Sequence, residues 1–182
     1  MDAQAGDILL TLVDEGKTEL SKLIQYFTRT DSLWTPSHAA KFVNLEEIIE
    51  AIWPDVAISP FEKYKDAQWM ILRNTTWTDR QRQATVDWAI NNYLGKHYDV
   101  AKLGLEALDA EFHTTWWAKK FGDERAPICS VLVAASDLHG ANWYYRDHKT
   151  GLEIPINAVV PNGIMAHAKQ WPNELVALAG NV

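Results

Sequence analysis

Residues 37–53 read SHAAKFVNLEEIIEAIW. Two short apolar runs, 37–43 and 46–53, stand on either side of Asn44 and predict two strands joined by a turn. Each run carries one polar residue on an otherwise apolar face. His38 alternates with Ala40 and Phe42, and Glu50 alternates with Ile48 and Ile52. A carboxylate on such a face is costly unless it has a partner. A three-residue loop, Val43-Asn44-Leu45, would pair Phe42 with Glu46, Ala40 with Ile48 and His38 with Glu50, at Cβ separations of about 4.5–5.5 Å. Glu50 would then fix the tautomer of His38 and leave its other ring nitrogen free to take a proton. A loop of even length would shift the register and break the pairing. The same residues also fit a core histidine satisfied by one hydrogen bond, or an edge with an incidental His–Glu pair.

Outward from this hairpin the chain alternates short strands and helices. GDILLTL (6–12) predicts a first strand and AQWMILRN (67–74) a further one. Leu20, Leu23, Ile24 and Phe27 recur at helical spacing within 17–29. A clearer helix runs over 79–94. Thr78 and Gln81 have capping-box spacing, Gly95 suits the stop, and Val86, Ala89, Ile90 and Tyr93 mark the buried face. An aromatic region (96–123) follows, then a helix over 128–138, then short apolar pieces around Pro155, Pro161 and Pro172. Strands in the first half with flanking helices predict an α+β fold, one domain over 1–182, with a mainly antiparallel sheet and helices on one side. Trp53, Trp69 and Trp88 sit in strand or helix patterns and are expected in the core. Trp116 and Trp117 are adjacent and cannot share one helix face, so a place lining a cleft is expected beside the alternative of a loop packed over the core.

Seventeen basic residues against twenty-four acidic ones give a net charge of −7, which argues against nucleic acid as the main partner. Arg73, Arg80 and Arg82 are expected on a solvated helix face. The start, MDAQAGDILLTLVDEG, has Asp2 where a signal peptide carries positive charge, and no run approaches the ~18 apolar residues of a transmembrane helix. A cytoplasmic place of synthesis is expected, with export by a route lacking a cleaved signal left open.

The only cysteine, Cys129, follows Pro127 at the start of a predicted helix. Ile128, Val131, Leu132, Ala135 and Leu138 form the apolar stripe of that helix, and Cys129 lies beside it. Amides at a helix N-terminus stabilise a thiolate and can hold an oxyanion. Taken alone, the residue reads as a buried structural cysteine. One cysteine rules out an intramolecular disulfide and any multi-cysteine metal site. There is no His-x-x-x-His pair, and His38, Glu50 and Cys129 have no recognised zinc spacing. No G-x-S-x-G elbow is present, and FGDERAPIC (121–129) is no phosphate loop. No metal or other cofactor is expected.

The order GDILL, SHAAKFV, IIEA, Gly95-x-x-Tyr98-Asp99 and ICSVLVA resembles the circularly permuted NlpC-type papain-like cysteine hydrolases, the group of the YiiX-like and lecithin retinol acyltransferase-like proteins. The resemblance runs from Gly6 to about Ala166. It implies a papain-like antiparallel sheet or small half-barrel, closed in many members by a segment like VVPNGIMAH (159–167). It also implies Cys129 as nucleophile, His38 as base, Glu50 as the residue that orients it, and Tyr98 near the oxyanion side. Ile128 and Val131 depart from the aromatic and acidic residues common beside the nucleophile, which bears on substrate contacts there. The expected substrates are peptide amides, peptidoglycan stem peptides first, then acyl or lipid esters. The other class is a binding domain that keeps the fold without catalysis. Oligomeric state is not legible.

Overall fold

The computed structural model describes residues 3–11, 36–98, 127–147 and 150–180. The predicted helix at 17–29, Asp99, and Trp116 with Trp117 lie outside the described residues. The first strand, β1, is Ile8–Thr11; β2 is His38–Phe42, β3 Glu47–Ile52 and β4 Asp55–Pro60. A 3-10 turn, Phe61–Tyr64, leads to β5 at Trp69–Asn74 and helix α1 at Asp79–Tyr93. The cysteine helix α2 is Cys129–Ala141, α3 is Pro161–Gln170, and β6 is Leu175–Gly180. The six strands form one open, antiparallel sheet in the order β4-β3-β2-β1-β5-β6. The α+β expectation is met.

The central strands are apolar on both faces. Ile8, Leu10, Ala39, Ile49, Ala51 and Leu72 meet the helices through Val131, Leu132, Ala135, Ala89 and Tyr93. Leu9, Ala40, Phe42, Ile48 and Ile71 form a second core with Tyr64, Phe61 and Trp69. Strands buried on both faces lose the clean alternation of a half-exposed sheet. β4 and β6, partly exposed at the two edges, escape the sequence reading, as does α3. Pro161 does not interrupt structure there but opens α3, where its missing N–H and fixed φ are harmless.

Helix α1 has the predicted cap. The Thr78 hydroxyl accepts from the Gln81 amide at 3.3 Å, and Gln81 Oε1 accepts from the Thr78 amide at 3.0 Å. Gly95 follows its end at φ +77°. Helix α2 runs three residues past its predicted end and stops at Asn142, which takes the left-handed conformation at φ 54°. Its buried surface is also wider than one stripe, since every residue from Cys129 to Asp137 is buried. Gly140 lies inside the helix for a packing reason. A Cβ there would fall 2.5 Å from Thr85 Cα and 2.6 Å from Thr85 N, both backbone atoms of α1. Gly140→Ala should therefore push α1 and α2 apart and cost about 1–3 kcal/mol, as other overpacked sites do. Thermal unfolding should then fall by roughly 5 °C; an unchanged midpoint would contradict this close approach.

Two expectations about single side chains fail. Trp53 is not core: it stands 67% exposed at the β3–β4 turn, beyond the last paired residue of its strand. Arg73 is not on a helix face. It is on β5, and its guanidinium grips the Asp7 carboxylate at 2.9 and 2.6 Å.

Candidate active site

His38 opens β2 and Glu50 lies in β3, so the hairpin between them decides whether they meet. The loop is longer than the sequence reading. Phe42 faces Ile48 and Ala40 faces Glu50, leaving residues 43–47 between the last pair. Asn44 causes the difference. Its side-chain oxygen accepts from the amides of Glu46 and Glu47, at 2.8 and 2.9 Å, and so organises a wider turn. The expected facing pair of His38 and Glu50 is therefore wrong. The loop keeps an odd length, however, so the two residues still share a face and sit diagonally. His38 Nε2 lies 2.9 Å from Glu50 Oε2.

Glu50 is fully buried and collects two further donors. The Tyr64 hydroxyl donates to Oε2 at 2.6 Å, and the Lys63 ammonium pairs with Oε1. Burial alone would raise the Glu50 carboxyl, but His38 and Lys63 overcome it and hold the group well below the usual carboxylate range. Burial and the same carboxylate push Tyr64 far above the ordinary phenol range, so it remains a donor. The Tyr64 ring also lies roughly parallel to His38, with centroids 6.0 Å apart. Lys63 and Tyr64 were not anticipated. They come from the 3-10 turn after Pro60, in a polar stretch with no periodicity, and only the folded chain brings them under β3.

Cys129 is the first residue of α2 and is 2% exposed. Its sulfur bonds to the His38 ring and to the backbone amides of Ala39 and Ser130. With Nε2 committed to Glu50, the thiol side of His38 is Nδ1. The Ala39 amide is available for a local reason. The β2–β3 ladder stops at Ala40–Glu50, and Ala39 lies one residue beyond it. The Ser130 amide belongs to the open first turn of the helix, where N–H groups lack intrahelical partners. Burial would raise the Cys129 thiol, but His38 and these two amides overcome it and lower it. Burial would lower His38, yet the bonds to Cys129 and Glu50 raise it to about 9. Both shifts favour a thiolate–imidazolium pair at neutral pH.

The structure thus brings Cys129, His38 and Glu50 into one hydrogen-bonded line. Tyr98 is buried in the same apolar core cluster as Ile128, the residue before the nucleophile. Beside the nucleophile, the Ser130 hydroxyl is buried with no partner among the described residues.

No family model matches the chain, and no curated protein is similar to it. One solved structure, that of the metalloprotein yiiX from Escherichia coli O157:H7 (DUF1105), superposes with a TM-score of 0.63 at 18% identity. The match covers 100% of this chain and 99% of that one. The two share a fold. Among the described residues, no three His, Cys, Asp or Glu side chains are gathered to hold an ion. His38 stands between Cys129 and Glu50, so the three lie in series and do not converge on one point. Among the described residues, no helix is long and apolar enough to cross a membrane.

Proposed function

We propose that the chain is a thiol hydrolase in which Cys129 is the nucleophile, His38 the acid–base and Glu50 the residue that orients His38. The observation that carries this is the hydrogen-bonded line from Glu50 through His38 to a buried sulfur held by two amides. The Cys129 sulfur attacks the carbonyl carbon of an amide, with the oxyanion held by the Cys129 backbone amide. As the C–N bond breaks, the His38 imidazolium gives its proton to the departing amine. Water then attacks the thioester, His38 takes the proton, and the acid is released with the sulfur as leaving group. Peptide amides of the peptidoglycan stem type are the first substrate class.

An acyl ester is the second reading, and one observation favours it. β3 ends beside the start of β2, where His38 stands, and there Ile52 and Trp53 are 37% and 67% exposed. An apolar acyl chain would cover them.

The test is iodoacetamide labelling of the single cysteine across pH, read by intact mass, followed by a panel of muropeptides and acyl esters. The expected result is labelling well below the ordinary thiol pKa of ~8.5, with turnover that vanishes in Cys129→Ala. Labelling only near that pKa, or only on unfolding, would overturn the catalytic reading. Trp53→Ala should raise KM for long-chain esters and leave muropeptides unaffected if the second reading holds.

A further inference from the structure

Lys41 is fully buried on β2, on the face that meets helix α2. Its ammonium pairs with the fully buried Asp137 of α2, reaches the Gly6 carbonyl at 3.4 Å, and lies 5.4 Å from the centroid of the Trp77 ring. The second Asp137 oxygen accepts from the Tyr145 hydroxyl at 2.7 Å. Tyr145 is itself buried and packs edge-on against Trp143, with centroids 4.7 Å apart, and against His167 at 5.6 Å. The cluster is closed. The polar groups of Lys41, Asp137 and Tyr145 meet one another, and all three residues are buried.

Stability is a weak explanation for such a cluster. Two charges taken out of water lose most of what their attraction returns, and apolar pairs of similar volume often serve as well. What a buried pair does impose is register, because its groups tolerate no other partner. The two elements it ties are the two that carry the proposed nucleophile and base. Lys41 lies three residues beyond His38 on β2, about 10 Å along the strand. Asp137 lies eight residues beyond Cys129 on α2, about 12 Å along the helix. Helix and strand are therefore joined at both ends of nearly equal spans, by Cys129–His38 at one end and Asp137–Lys41 at the other. A helical slip of one turn, about 5.4 Å, would part the distant pair and the sulfur from the ring together.

We propose that Lys41, Asp137 and Tyr145 are positioning residues that set the height of helix α2 against β2 and so hold the Cys129 sulfur within reach of His38 and the Ala39 amide. They touch no reacting atom. The assignment rests on the hydrolase reading for its purpose, but its geometry can be tested separately.

The experiment uses the full chain and the double variant Lys41→Met/Asp137→Leu, which replaces the pair by apolar groups. The readout is the His38 imidazole titration by NMR, together with Cys129 labelling. Thermal unfolding should stay near that of the wild type, while the His38 midpoint falls from about 9 by roughly one unit or more. Labelling should move toward alkaline pH. An unchanged His38 midpoint in a folded double variant overturns the proposal. Should the double variant not fold, Tyr145→Phe keeps the ring packing and removes one hydrogen bond. A downward shift of the His38 midpoint there supports the clamp, and no shift overturns it. A wild type with the His38 midpoint near 9 but no turnover of any amide or ester would sink the hydrolase reading alone, leaving the clamp to be judged on the variants.

Discussion

Replacing His38 by alanine will lower turnover by about 10²–10⁴-fold, the range that a positioned acid–base supplies, and will move Cys129 labelling to alkaline pH. Three influences act on the Cys129 sulfur: burial raises the thiol, while His38 and the amides of Ala39 and Ser130 lower it. Removing the imidazolium leaves the amides alone against burial. The thiol then titrates higher, and the thiolate fraction at neutral pH collapses. Kinetics on an activated ester, which needs little help for its leaving group, will separate the two losses. A smaller defect on the activated ester than on an amide assigns part of the effect to proton donation. Labelling that keeps its wild-type profile in His38→Ala would mean that the amides alone make the thiolate.

Glu50→Ala will be the most destabilising single change in the site, by about 3–5 kcal/mol, the usual cost of removing one partner from a buried charge pair. It strands the Tyr64 hydroxyl and the His38 ring nitrogen and leaves the half-buried Lys63 unpaired. Glu50→Gln keeps the shape and isolates the charge. The His38 proton is then held by Cys129 alone against burial, so its affinity falls. The alkaline limit of activity, expected near 9 in the wild type, should move down toward the ordinary histidine range of ~6.5. Stability follows the same groups. His38 is raised in the folded chain, so its contribution is full below 6.5 and lost as pH rises through about 9. Glu50 is lowered, so its contribution is full above the ordinary carboxyl range and lost only in strong acid. Denaturant titrations of wild type and Glu50→Gln at several pH values measure both slopes. An alkaline limit that does not move in Glu50→Gln would show that the carboxylate does not hold the His38 proton.

The hairpin at 37–53 shows what a sequence can and cannot say about such a site. Period-two alternation placed His38 and Glu50 on one face, because side-chain direction depends only on parity. It could not place the pairing, because that depended on how many amides the Asn44 side chain captured. Cys129 at a helix start was legible from Pro127 and the apolar run after it. The full burial of α2 was not, since a helix enclosed on all sides loses the one-sided stripe that reveals its orientation. Trp53 was misplaced because a strand pattern does not tell where the last paired residue falls. Lys63 and Tyr64 reach Glu50 through a turn, a relation between distant residues that no local pattern carries. Nothing local in the sequence marks Lys41, because its partner lies 96 positions away.

Strand β2 has only five residues, and three kinds of work fall on it: an imidazole on one face, a backbone amide and an ammonium on the other face. Such a segment can be read in a single frame. An insertion of one residue between His38 and Lys41 would put both side chains on one face, sending one charge-bearing group into the wrong core. The exposed loop at 44–46 lies just past the strand and can gain or lose pairs of residues without altering that frame. Length variation in descendants of this chain should therefore collect in the loop and spare the strand.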